Sequence, residues 1–89
     1  MKLGLRCKKV VCDNGVIEIS RDGKLHCIIG PAWQNKWGHR QWYQHGKMHR
    51  LDGPAETFPN GVSFYWLDGK AIGVIDFHIA VQRYKEKHQ

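Results

Sequence analysis

Three triplets, Asp22-Gly23-Lys24, His45-Gly46-Lys47 and Asp68-Gly69-Lys70, follow one another at a constant step of 23 residues. Such a step, held through most of an 89-residue chain, leaves few folds open. It marks one supersecondary unit used repeatedly, each copy burying its apolar face only against a neighbour. Gly15, Gly38 and Gly61 keep the same step, as do Ile19, Trp42 and Tyr65, and the segments Gly30-Pro31-Ala32 and Gly53-Pro54-Ala55.

Each repeated position has a physical reason. Asp-Gly or His-Gly between alternating runs supplies the positive φ angles of a type I′ hairpin turn. A two-residue loop sets Gln44 opposite Lys47, Tyr43 opposite Met48 and Trp42 opposite His49. In the neighbouring copies it sets Ile19 opposite His26 and Tyr65 opposite Ile72. The position of Ile19, Trp42 and Tyr65 is apolar in every copy and is expected on the buried face. Gly53-Pro54 is expected to break the ladder, glycine through an angle other residues avoid and proline by removing a donor.

In chain order, residues 2–12 set Leu3, Leu5, Cys7 and Val11 against Lys2, Arg6 and Lys8, which predicts a half-buried strand with a cationic outer face. Asp13-Asn14-Gly15 turns it into a strand at 16–21, and Asp22-Gly23 returns that strand as 24–29. The cycle continues with strands at about 31–35, 39–44, 47–50, 54–58 and 62–67. The last carries Phe64, Tyr65, Trp66 and Leu67, apolar on both faces, which predicts cover on both. From Val74 the period changes. Phe77, Ala80 or Val81, and Tyr84 recur at helical spacing with Ile75 and Ile79 beside them, while Arg83, Lys85 and Lys87 suit the end of a helix dipole. The expectation is one mostly β domain over residues 1–89. Residues 1–73 form an antiparallel meander of 23-residue β-hairpin repeats, and one C-terminal α-helix over 74–88 caps it.

The run from Trp42 to Ala55, Trp-x-x-His-Gly-Lys-x-His-Arg-x-Asp-Gly-Pro-Ala, resembles the MORN-like variant repeats of small bacteriophage and bacterial proteins. The first copy departs from the pattern, with Cys27, Ile28 and Ile29 where Arg, a variable residue and Asp are expected, and the third stops at Lys70. The resemblance spans roughly residues 14–77. It implies a binding scaffold with varied partners, and says little about activity.

Chemistry is sparse. The six histidines include His26 and His49 at equivalent repeat positions, which points to packing and turn hydrogen bonds, since a catalytic base does not need copying. Asp52, before a glycine, is expected to bond backbone amides. Cys7, Cys12, Cys27 and His26 have the right atoms for zinc but no tight Cys-x-x-Cys pair, so buried small thiols are the simpler reading. The glycine-lysine pairs follow hairpin turns and lack the helix that a phosphate loop feeds. The chain therefore reads as a non-enzyme with no cofactor and no metal.

Surface residues remain. Trp33, Trp37, Trp42 and Trp66, with Tyr43 and Tyr65, exceed what so small a core hides, and the formal charge is +6 with a pI of about 9.5. Trp33, Trp37, Arg40, Tyr43 and Arg50 are the binding candidates, of types that anchor protein interfaces and also stack on bases. Trp37 stands out, replacing the Asn of an Asn-Gly turn. Three cysteines, no apolar run of ~18 residues and a polar N-terminus lead to an expected cytoplasmic location, that of the host cell if phage-encoded. Two functional classes follow. The first is a phage-type accessory protein that binds a host protein or ribonucleoprotein complex and inhibits a bacterial defence complex, as anti-CRISPR proteins do. The second is a protein that binds or sequesters nucleic acid or a nucleotide signal.

Overall fold

The computed structural model describes residues 7–88, so the first half of the strand expected over 2–12 lies outside the described residues. Ten short strands run in chain order: β1 (Cys7–Val11), β2 (Ile17–Arg21), β3 (Lys24–Leu25), β4 (Trp33–Gln34), β5 (Arg40–Gln41), β6 (Tyr43–Gln44), β7 (Lys47–Met48), β8 (Glu56–Thr57), β9 (Ser63–Leu67) and β10 (Lys70–Ile72), followed by α1 (Phe77–Lys87). One antiparallel sheet has the order β1-β2-β4-β5-β8-β9-β10, with β3 also paired to β2, and β6-β7 form a separate hairpin. The mostly β meander with one C-terminal helix is thus the observed fold.

Two kinds of turn alternate along it. Asp22, His45 and Asp68 have φ of 52°, 52° and 49°, and the glycine after each has 79°, 82° and 78°. Those pairs of positive angles define type I′ turns, and Asp and His are among the side chains that tolerate the left-handed region. At the other end of the sheet the N–H groups of Gly15, Gly38 and Gly61 donate to the carbonyls of Cys12, Asn35 and Phe58. The side chains of Asn14 and Asn60 accept the N–H groups of Val16 and Val62. In the middle copy Trp37 occupies the Asn position, and Asn35 compensates by accepting from both Trp37 and His39.

Copies are joined by one repeated device. His26 Nδ1 accepts the N–H of His45 at 2.9 Å, and His49 Nδ1 accepts the N–H of Asp68 at 3.0 Å, each imidazole thereby holding the next hairpin turn. Both rings are buried. The Gly46 N–H donates to the Leu25 carbonyl and the Gly69 N–H to the Met48 carbonyl, both at 2.9 Å. The stems of Lys24 and Lys47 lie on Gly46 and Gly69.

The core is small: Ile19, Cys27 and Ala32 in one cluster with Cys7, Leu25 and Tyr43 against it, and Ala55, Leu67 and Val81 further along. Ile19 is buried as expected, whereas Trp42 and Tyr65 are only half-buried. Trp42 carries the Arg50 guanidinium 4.1 Å above its ring, and Tyr65 packs on Phe77 at 4.3 Å between centroids. The helix starts at Phe77, three residues later than the pattern implied, after a turn in which the Asp76 N–H donates to the Gly73 carbonyl. It docks through Phe77, Val81 and Tyr84, while Ile75 and Ile79 stay exposed. The double cover expected for β9 is uneven: Leu67 is buried on one face, while on the other Trp66 is half-buried and Phe64 is 48% exposed. Gly53 also differs from expectation, for its φ is not left-handed. A side chain there would meet the Arg50 guanidinium at 3.1 Å, and that close approach is what glycine permits.

Candidate functional site

The pairing register builds a row straight across the main sheet. Val10 faces Glu18, Glu18 faces Trp33, Trp33 faces Gln41, Gln41 faces Glu56, and Glu56 faces Phe64. Directly opposed residues share a sheet face, so these six side chains form one surface. Two residues from the adjoining turns complete it. His39 lies edge-on to Trp33 at 5.1 Å and stacks on Phe58 at 4.3 Å, and Phe58 meets Phe64 at 6.0 Å in a T-shaped pair.

A hydrogen-bonded chain fixes this surface from beneath. The Tyr43 hydroxyl donates to Gln41 Oε1 at 3.0 Å, Gln41 Nε2 donates to Glu56 Oε2 at 2.9 Å, and His39 Nε2 lies 3.0 Å from the same carboxylate oxygen. Glu56 is thereby held in place, with its side chain 12% exposed. Side chains held by such bonds lose less freedom when something docks on them.

The five residues singled out from sequence do not form one patch. Trp33 lies in the row, half-buried. Trp37 sits at a turn tip, 66% exposed, with the Lys36 ammonium 5.0 Å from its ring centroid. Arg40 is exposed but pairs with Gln34 and Thr57, one residue out of register with Trp33, and so belongs to the opposite face. Tyr43 turns inward against the Ile19 cluster, and burial, with the Glu56 charge second, holds its phenol above the usual range. Arg50 is committed internally: its Nε donates to Asp52 at 2.9 Å and its Nη1 to the Pro54 carbonyl at 3.0 Å. Asp52 thus bonds chiefly a guanidinium where a backbone amide was expected, and the Arg50 hydrogen bond holds its carboxyl below the usual range.

Glu56, Phe58 and Phe64 are not among the sequence candidates, although a signal for Glu56 and Phe64 exists. Residues 10, 33 and 56 are one repeat-equivalent series and 18, 41 and 64 another. In both the residue type changes from copy to copy, while the turn and histidine positions hold constant. Constant positions build the stack and varied ones decorate it.

On another side, between the loops after β3 and β7 and the last turns of α1, lies a cavity of about 370 Å³ lined by Cys27, Ile29, Trp42, His49, Arg50 and Lys85 among others. Among the described residues no three of His, Cys, Asp and Glu gather as metal ligands. No helix of the described residues is long and apolar enough to cross a membrane. No family model, curated protein or solved structure matches the chain.

Proposed function

We propose that the protein is a non-catalytic binding module that docks another protein on the face bearing Trp33, Phe58 and Phe64. One observation carries this reading. On a chain of net charge +6, the row across this face holds Trp33 between Glu18 and the Gln41–Glu56 pair, with Phe64 beyond Glu56, and no lysine or arginine. A phosphate backbone laid there would meet negative charge without the cations that nucleic-acid binding requires. Rigid aromatic anchors with Glu18 beside them and few cations suit a protein partner that presents apolar side chains.

In its more particular form the reading makes this a phage accessory protein that blocks a bacterial defence complex, with a host protein or ribonucleoprotein as target. The resemblance of Trp42 to Ala55 to MORN-like repeats supports that form. The test uses the wild-type chain and Phe64→Glu as baits in a bacterial lysate, with and without nuclease. A protein retained by wild type after nuclease and at raised salt, and lost with Phe64→Glu, is the expected outcome. Retention that nuclease abolishes, or that Phe64→Glu leaves intact, contradicts the reading.

A further inference from the structure

The cavity beside Arg50 lies where the repeat departs from its own pattern. In the second copy Arg50 lies over Trp42 and pairs with Asp52. The equivalent positions of the first copy hold Cys27 and Ile29, around a core position filled by Ile19. Replacing an arginine and an aspartate by a thiol and an isoleucine removes side-chain volume and both charges from one wall. The walls are consequently of two kinds. Ile28 and Ile29 present apolar surface, 72% and 46% exposed. The polar lining is the Arg50 guanidinium with the Asp52 carboxylate it binds, the Lys85 ammonium from the helix and the His49 imidazole.

His49 supplies an independent sign. Its Nδ1 accepts the Asp68 N–H, so the ring proton resides on Nε2. The residue is 2% exposed, and Nε2 has no hydrogen-bond partner among the described residues. A buried donor left unpaired is costly, and such groups in native proteins call for an explanation such as a bound acceptor.

From the two-sided wall and the unpaired donor we infer that this cavity binds a small aromatic anion. The flat body lies against Ile28, Ile29 and Trp42, and the anionic head accepts chiefly from Lys85 and His49 Nε2, with Arg50, whose Nε and Nη1 are held by Asp52 and the Pro54 carbonyl, contributing through Nη2. The volume of about 370 Å³ falls in the range of small-molecule sites. This site is separate from the protein-docking face, and its test does not depend on that reading.

The test is a titration of the isotope-labelled chain, followed by amide shifts, with four probes: adenosine monophosphate, 2-naphthoate, adenosine and inorganic phosphate. Saturable shifts at Ile28–Gly30, His49–Asp52 and Lys85 with either aromatic anion support the site, and the better of the two identifies nucleotide or aromatic acid as the source. Adenosine and phosphate alone are expected to bind at least about tenfold more weakly, since each offers one half of the contacts. Lys85→Glu, on an exposed helical position, should weaken binding by about tenfold with the spectrum otherwise unchanged. Ile29→Asp, which restores the repeat's own residue, should abolish it. No saturable shift with either aromatic anion, phosphate binding as well as the monophosphate, or full binding by Lys85→Glu overturns the inference.

Discussion

His49 and Asp68 are bound across a repeat boundary: the imidazole Nδ1 accepts the Asp68 main-chain N–H at 3.0 Å, 19 residues away in sequence. His26 and His45 repeat the relationship at 2.9 Å. The ring thus does in each copy what a ladder hydrogen bond does within a strand pair. It satisfies a turn amide that points toward the preceding repeat.

Removing the acceptor should therefore uncouple the copies. His49→Ala is expected to cost about 3 kcal/mol, combining a lost buried side chain with an orphaned amide. His49→Asn, whose side-chain oxygen can stand near Nδ1, should recover about 1 kcal/mol of that. Urea midpoints at unchanged m-value measure both. Equal losses for the two variants would show that ring packing, not the acceptor, matters.

The same contacts set an acid limit. His26 is held below its ordinary pKa of 6.5 by burial first, then by His45 and Arg21 against the opposing Asp22. His49 is held below 6.5 by burial against the opposing Asp68, with His88 and His45 adding to the lowering. The folded-state values lie below the unfolded ones, so the unfolded chain takes up protons first as pH falls. Stability from these two groups is complete above about pH 6.5 and is lost as pH falls from there through their folded values. Urea midpoints at about pH 7.5 and 5.5 should drop accordingly, and His49→Asn should flatten the dependence. A midpoint that rises on acidification contradicts the buried neutral pair.

Glycines in the two turn environments should respond differently. Gly46 has φ of 82°, and a methyl there would rest at an ordinary 3.5 Å from the Lys24 chain, so Gly46→Ala carries backbone strain without a clash. A cost of about 1–2 kcal/mol is expected. Gly53→Ala meets the Arg50 guanidinium at 3.1 Å. Its effect should show as displacement of the Arg50–Asp52 pair, read by a rise of the Asp52 pKa toward its ordinary value. An unmoved Asp52 titration would show that Arg50 yields without losing its partner.

The repeat period made the hairpin turns, their register and the role of His26 and His49 legible in the sequence, since these depend on backbone angle and spacing. Fate of individual side chains was less legible. Arg50 reads as a free surface cation, yet two acceptors, the Asp52 carboxylate and the Pro54 carbonyl, and an indole ring engage it, because the bend at Gly53-Pro54 brings the Pro54 carbonyl back to it. Tyr43 reads as an interface aromatic but turns into the Ile19 cluster. Glu56 and Phe64 become neighbours through pairing of β8 with β9, and comparing varied positions across copies, rather than constant ones, is what would have picked them out.

The exposed Trp37 should be dispensable for folding. Its ring contact is the Lys36 ammonium at a solvent-facing tip, and Trp37→Asn restores the residue of the other copies. The expected change in stability lies within about 0.5 kcal/mol, either sign, by thermal unfolding. A larger loss would show that the indole packs where the tip now reads as open.

The claim at the centre of this account is that the Phe64 face meets a protein. Photo-crosslinking inside bacterial cells tests it most directly, with p-benzoylphenylalanine in place of Phe64 and, separately, in place of Lys47, the exposed first residue of β7. The account predicts one discrete protein adduct from position 64, resistant to nuclease and absent from position 47. A nucleic-acid adduct at 64, or the same protein adduct from both positions, would contradict it.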